Sequence, residues 1–303
     1  MYLHKGDREL FHDIIVTVSE KENLSADIVE KDYYVTMILK SLAGRCDNVV
    51  FKGGTSLSKA FHVIERFSED VDISFTEHLG EGKRKTLKYK VLKSISEELG
   101  LPISNWHRIE SNKNYNHYDF VYESIIGADV ALMPWVKVET ALMAYSFPTE
   151  NREISNVIYD CLKDSDSDIV EEYDLTPFFM QVQSVSRTLV DKMYAVCDYF
   201  LLNKAYRNSR HLYDIYKLYS HIEENNDFRK LVKKVGEQRA KMDSKIAPAT
   251  QSGVDIWGTV KEICRCDFYK SDYEETTRKL TSDELDYKTA IKCYRELMGR
   301  YFK

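Results

Sequence analysis

Apolar residues near the start of the chain fall at helical spacing. Leu10, Phe11, Ile14, Ile15 and Val18 share one face of a 3.6-residue period, and Ile28 to Leu39 predicts a second helix. The pattern then changes. Val49-Val50-Phe51 is short, continuous and β-rich, which predicts a buried strand. A short helical stretch follows, and the run Asp70 to Phe75 alternates as a second strand. Residues 83–99 read as a helix stopped by Gly100 and Pro102. Tyr118, Phe120 and Tyr122 alternate with polar neighbours across 117–123, and 135–140 predicts a further strand. The acid-rich segment 148–176, with Pro148 at its start and Pro177 just beyond it, marks a transition. Beyond Pro177 the expectation is helical: Val182, Val185, Leu189, Met193, Val196 and Phe200 repeat at three or four. Residues 284–301 repeat the pattern with Leu285, Ile291, Tyr294, Leu297 and Tyr301. The expected architecture is α/β (α+β): a mixed sheet flanked by helices over residues 1–176, then a mainly helical domain over 177–303 that contributes to the active-site cleft.

Candidate chemistry concentrates where the pattern switches. The strand at Val49–Phe51 runs into Lys52-Gly53-Gly54-Thr55-Ser56, and the next strand presents Asp70-x-Asp72. Paired glycines let a backbone turn sharply and approach a ligand closely. Thr55 or Ser56 is placed to cap the following helix, whose free N–H groups favour phosphate. Carboxylates two apart in a strand point to one face. Two hard oxygen ligands there suit Mg²⁺ (or Mn²⁺), which binds one or two carboxylates plus substrate phosphates. Taken singly, a Gly-Gly turn ends many strands and Asp-x-Asp marks many solvated edges; their order and spacing carry the reading. Neither a G-x-x-x-x-G-K-[ST] nor a G-x-G-x-x-G motif occurs, and Lys59 stands too far into the helix to be a phosphate-loop lysine.

These residues resemble the AbiEii/AbiGii-type toxin nucleotidyltransferases of the DNA polymerase β-like superfamily. Similarity runs through Val29-Glu30-Lys31-Asp32-Tyr33-Tyr34, then Lys52 to Leu57 with Arg66-Phe67-Ser68-Glu69-Asp70-Val71-Asp72, then Thr188-Leu189-Val190-Asp191-Lys192, and finally Arg210-His211-Leu212-Tyr213-Asp214-Ile215-Tyr216. The third block departs from the family pattern in having Asp191 where Glu is common. The resemblance covers most of the first 220 residues and implies a metal-dependent nucleotidyltransferase. It also implies a toxin of phage defence with a separate antitoxin, moving a nucleoside monophosphate from an NTP to an acceptor that is often tRNA. On this resemblance Asp70, Asp72, Lys192 and Asp214 are candidate catalytic residues. Lys52, Gly53, Gly54, Thr55, Ser56, Ser68 and Arg210 are candidate nucleotide contacts. Lys192 would neutralise the triphosphate, and Asp214 would orient Lys192 or take part in acid/base chemistry. A third metal carboxylate belongs on a neighbouring strand; Glu139 is the candidate, ahead of Asp129. Lys137 and Glu139 share a strand face opposite Val136 and Val138, so an ordinary exposed Lys-Glu face is the alternative.

Composition adds compartment and partner. The hydrophobic fraction of 43% and charged fraction of 30% are those of a globular protein. No apolar run approaches membrane-spanning length, and residues 1–8 lack a signal-peptide core. Six scattered cysteines, with Cys264-x-Cys266 lacking a second pair, read as free thiols in the cytoplasm. Asp164, Asp166 and Asp168 imitate the start of a calcium loop, but Ile169 and Leu175 stand where its glycine and glutamate belong. Net charge is −6, unevenly shared: residues 1–176 hold 20 Lys+Arg against 31 Asp+Glu, and 177–303 hold 23 against 18. Basic clusters at Lys83–Lys93 and Arg229–Lys245 are candidate RNA surfaces or ordinary solvated faces. Twenty-one tyrosines offer stacking platforms, although most belong in a core. Two alternatives stay open: a nucleotidyltransferase of small molecules or proteins, and a degenerate nucleotide-binding module.

Overall fold

The computed structural model describes residues 1–66, 68, 70–110, 113–127, 132–142, 145–281 and 284–303. It divides into two compact units. The first comprises Met1–Ala60 and Ser68–Val182, the second Phe61–Phe67 and Gln183–Lys303.

The first unit is built on a six-stranded mixed sheet. Its strands are β1 (Val49–Lys52), β2 (Val71–Phe75), β3 (Tyr115–Val121), β4 (Trp135–Ala141), β5 (Thr149–Ile154) and β6 (Phe178–Gln183), in the order β3-β4-β2-β1-β6-β5. β1 pairs antiparallel with β2 and parallel with β6; β4 pairs parallel with β2 and antiparallel with β3. Val49, Val50 and Phe51 are all buried, as a central strand covered on both faces requires. The helix Arg8–Glu22 buries Phe11, Ile14, Ile15 and Val18, the stripe that its spacing predicts. The helix Ala26–Ala43 is buried on nearly every side, charged residues included, and is a core helix rather than an amphipathic one. The helix expected over 83–99 forms in three parts, with a π-helical turn at Leu87–Leu92 and Gly100 closing it in the left-handed region.

Two strands depart from the expectation. Residues after Pro177 do not enter a helix at once, because Phe178–Gln183 forms β6 beside β1. Met180 and Val182 are buried while Phe179 is exposed, a two-residue alternation. The three-residue interval from Val182 to Val185 spans a strand end and a cap: Ser184 accepts the Arg187 N–H at 3.2 Å and starts the helix Val185–Leu201. β5 is an edge strand with the polar composition Thr-Glu-Asn-Arg-Glu-Ile, which leaves no hydrophobic alternation to read. The second unit is helical, with long helices at Val185–Leu201, Arg210–Tyr219, Asn226–Arg239, Ile256–Arg265 and Tyr287–Phe302. Among the described residues no helix is long and apolar enough to cross a membrane.

Candidate functional site

β1 ends at Lys52, and the helix Gly53–Lys59 begins at the first glycine. Gly53 adopts φ +80°, and a Cβ there would fall 2.0 Å from Asp72 Oδ2. Only glycine allows the Asp72 carboxylate to lie against this turn. Thr55 and Ser56 do not cap the helix as expected; Lys52 occupies the cap position, and no side chain caps. The Thr55 hydroxyl donates to the Asp70 carbonyl at 2.5 Å and accepts from the Ser68 hydroxyl at 3.0 Å, and Ser56 donates to the Gly53 carbonyl at 2.9 Å. Both hydroxyls are buried; Thr55 ties the turn to the start of β2, and Ser56 closes the turn on itself. The far end of the helix is held by Lys59, whose ammonium donates to Asp32 Oδ1 at 2.5 Å; Asp32 Oδ2 accepts the Val157 N–H at 2.9 Å. Glu30 accepts from the Ser124 hydroxyl at 2.6 Å and the Ile125 N–H at 2.9 Å, and Lys31 donates to the Met133 carbonyl at 3.0 Å. The acidic and basic residues of the first sequence block therefore brace this unit from inside.

The sheet register aligns polar side chains in a row. Lys52 is the Cα partner of Asp72, Asp72 of Glu139, and Glu139 of His117, so four adjacent strands carry them side by side. Asp70 lies just before β2 rather than within it. Lys137, on the same face of β4 as Glu139, places its ammonium 3.8 Å from Asp70 Oδ1 and 3.7 Å from Glu139 Oε1. Val136 and Val138 point into the core, as the alternation predicts. The Tyr115 hydroxyl is pushed well above its usual range by burial, then by the charge of Glu139, to which it donates, with Asp72 and Asp70 adding to the effect. All three candidate carboxylates thus act on one phenol. Among the described residues, no three His, Cys, Asp or Glu side chains already converge at metal-ligand spacing. Asp129 lies outside the described residues, as do Phe67 and Glu69 of the second block.

The second unit carries a separate charged cluster. Asp214 is wholly buried and accepts from Arg66 Nε at 2.6 Å, Arg66 Nη2 at 2.7 Å and Lys192 Nζ at 2.6 Å. Burial alone would raise the Asp214 pKa, but the Arg66 and Lys192 cations hold it well below the usual carboxylate range. Burial lowers the Lys192 pKa, against the opposing pull of Asp214. His211 stacks on Tyr199 at 5.5 Å; the residue as a whole is half-buried, yet Nδ1 is buried and has no partner. Its pKa is well below the ordinary histidine value because of burial first, then the nearby Lys192 and Arg210 charges. Asp191 is engaged by Arg187 at 3.1 Å and Gln183 at 3.0 Å, so it supports the start of its helix. A cavity of about 500 Å³ opens beside the helix Arg210–Tyr219, lined in part by His62, Glu65, Tyr216, Lys217 and His221.

The family profile described as "Nucleotidyl transferase AbiEii toxin, Type IV TA system" matches residues 38–301, which takes in both units. The chain belongs to the AbiEii nucleotidyltransferase toxin family. As an AbiEii family member it is a nucleotidyltransferase toxin of a type IV toxin–antitoxin system, which implies an NTP substrate and an antitoxin partner. Among solved structures, MenT4, a nucleotidyltransferase toxin from Mycobacterium tuberculosis H37Rv, is similar at 16% identity and a TM-score of 0.44, covering 96% of this chain and 98% of that one. No curated protein sequence matches the chain.

Three residues of this AbiEii chain stand at the two clusters without a role foreseen for them. Arg66 lies inside the second sequence block, but its partner is 148 residues away and nothing local announces the pair. Lys137 was legible as a neighbour of Glu139 on one strand face, yet its approach to Asp70 depends on strand order. Tyr115 is one of 21 tyrosines and is distinguished only by its place on β3.

Proposed function

We propose that this AbiEii toxin transfers a nucleoside monophosphate from an NTP to an RNA hydroxyl, with tRNA as the acceptor class, and that the transfer depends on Mg²⁺ or Mn²⁺ held by Asp70 and Asp72. The observation that carries the reading is the packing of Asp72 against Gly53, in register with Glu139. A side chain at position 53 would fill that space, and the donors are hard oxygens suited to a divalent ion completed by substrate phosphates. When bound, such an ion supplies charge stabilisation for an in-line displacement that releases pyrophosphate. Lys52, the Gly53–Ser56 turn and Ser68 would position the triphosphate. Lys192 would neutralise it and Asp214 would fix the ammonium, a role supported by their 2.6 Å contact; Arg210 would add a further nucleotide contact. Glu139 is the third carboxylate of this reading. Phage defence and a cytoplasmic location are further parts of this proposal.

The basic clusters bear unequally on an RNA acceptor. Lys88 is buried and donates to the Ile109 carbonyl, and Arg239 is paired with Asp198, which is itself buried. Lys83, Lys85 and Lys93 form exposed pairs with Glu77, Glu81 and Glu97. Exposed pairs are worth only about 0–1 kcal/mol, so these lysines can exchange a carboxylate for a phosphate. Tyr89, 53% exposed between them, adds a stacking surface. Incubating the full chain with each labelled NTP, Mg²⁺ and total tRNA tests the proposal. Label should enter tRNA with one NTP and vanish in Asp72→Asn. Label appearing in protein or a small molecule, with none in RNA, would overturn the acceptor assignment.

A further inference from the structure

We propose that Lys137 takes the place of a second metal ion, so that the carboxylate face of the first unit holds one divalent cation and not two. The inference rests on the divalent-ion reading of Asp70 and Asp72 and concerns how many ions that face accepts. In a two-metal site the ions stand about 3.5–4 Å apart and share carboxylates. Here the strand register brings Glu139 beside Asp72, where a third carboxylate could complete a second ion's ligands. The Lys137 ammonium stands there instead, 3.8 Å from Asp70 and 3.7 Å from Glu139. Both distances exceed a normal N–H···O hydrogen bond, so the ammonium is a counter-ion shared by two carboxylates rather than docked on either.

Its placement is built into β4. Val136 and Val138 are buried in the core, so the alternation holds Lys137 and Glu139 on the opposite face together. Charge counting gives the same answer. Asp70, Asp72 and Glu139 carry three negative charges; Lys137 and Lys52, which stands in the same row, offset two of them, so one divalent ion already brings the face to one excess positive charge before nucleotide arrives. A second divalent ion would raise that excess to three, with an ammonium in the space where that ion needs ligands. Lys137 is thereby a specificity-determining residue for metal content, tethered and present at all times.

Counting Mn²⁺ bound to the full-length, metal-stripped chain by electron paramagnetic resonance titration decides the matter. The wild type should bind one ion and Lys137→Met two, with the second lost in Lys137→Met/Glu139→Gln. Lys137→Arg, which keeps the charge, should return to one. Thermal melting confirms that each variant is folded, and Lys137→Gln serves as a second neutral replacement. Two ions in the wild type, or one in both neutral variants, overturns the role of Lys137 while leaving the metal site standing. No protein-bound ion in the wild type even when a non-hydrolysable NTP analogue is added, or one that survives in Asp70→Asn/Asp72→Asn, overturns the underlying metal reading instead.

Discussion

Asp214 is held by two cations in a cluster almost closed to solvent: Asp214 is 0% exposed, Arg66 3% and Lys192 6%. With His211 held neutral by its depressed pKa, the group carries one excess positive charge. Removing different members therefore has different consequences for folding. Asp214→Ala leaves two buried cations with no anion, and breaking a buried pair this way costs about 3–5 kcal/mol. That is a large share of a total stability of about 5–15 kcal/mol. Lys192→Met removes the excess charge, keeps the two-point Arg66–Asp214 pair and nearly conserves volume, so its cost should stay below about 1.5 kcal/mol. Urea unfolding followed by circular dichroism should place the Asp214→Ala midpoint lower by about 1 M or more, given slopes of about 1–3 kcal/mol/M. If Lys192 neutralises the triphosphate, both variants lose nucleotidyl transfer, but only one loses stability. Equal midpoints for the two variants would refute the charge argument.

Other outcomes follow from single contacts. Asp70→Asn and Asp72→Asn should each lower transfer at least about a hundredfold with unchanged melting temperature, read by NTP labelling and calorimetry. Gly53→Ala should lower both activity and stability: a left-handed L-residue costs about 1–2 kcal/mol, and its Cβ displaces the Asp72 carboxylate. An Ala variant with full activity would show that Asp72 need not lie against the turn. His211 has a depressed folded pKa, so its stabilising contribution is complete above the unfolded value of about 6.5 and fades as pH falls below it. Stability should drop between pH 7 and 5 by at most about 1.4 kcal/mol per pH unit, the limit for one proton. His211→Gln should flatten that slope in urea unfolding measured across the range.

The residues most readable from the chain are those whose neighbours in sequence are also their neighbours in space. Apolar spacing at Leu10–Val18 and alternation at Trp135–Thr140 predict a helix and a strand that form with those faces inward. The run Val49–Phe51, followed by two glycines and Asp-x-Asp, indicates a turn next to a carboxylate, and the contact of Gly53 with Asp72 is that turn. Pairings between distant strands and helices were not legible. β6 was hidden because Val182 and Val185 mimic a helical interval across a cap. The position of Lys137 between Asp70 and Glu139 depends on β4 lying beside β2, which no local pattern encodes. The first sequence block illustrates the converse. Glu30, Lys31 and Asp32 look like exposed helix charges, but they are consumed in bracing contacts to residues about a hundred positions further on.

Residues 61–67 lie early in the chain but group with Gln183–Lys303. During synthesis Arg66 leaves the ribosome long before Asp214, its partner 148 residues downstream. The helical unit therefore cannot close its charged centre until most of the polypeptide exists. Closing so long a loop carries an entropic cost and slows folding relative to local helix pairing. A toxin assembled in this order should stay inactive through most of its own translation, and chains cut short before residue 214 should lack the anion that organises Arg66 and Lys192. Expressing the chain as two separate segments split near residue 182 should fail for the same reason, because the segment carrying the helices would be missing the stretch of sequence that contains Arg66.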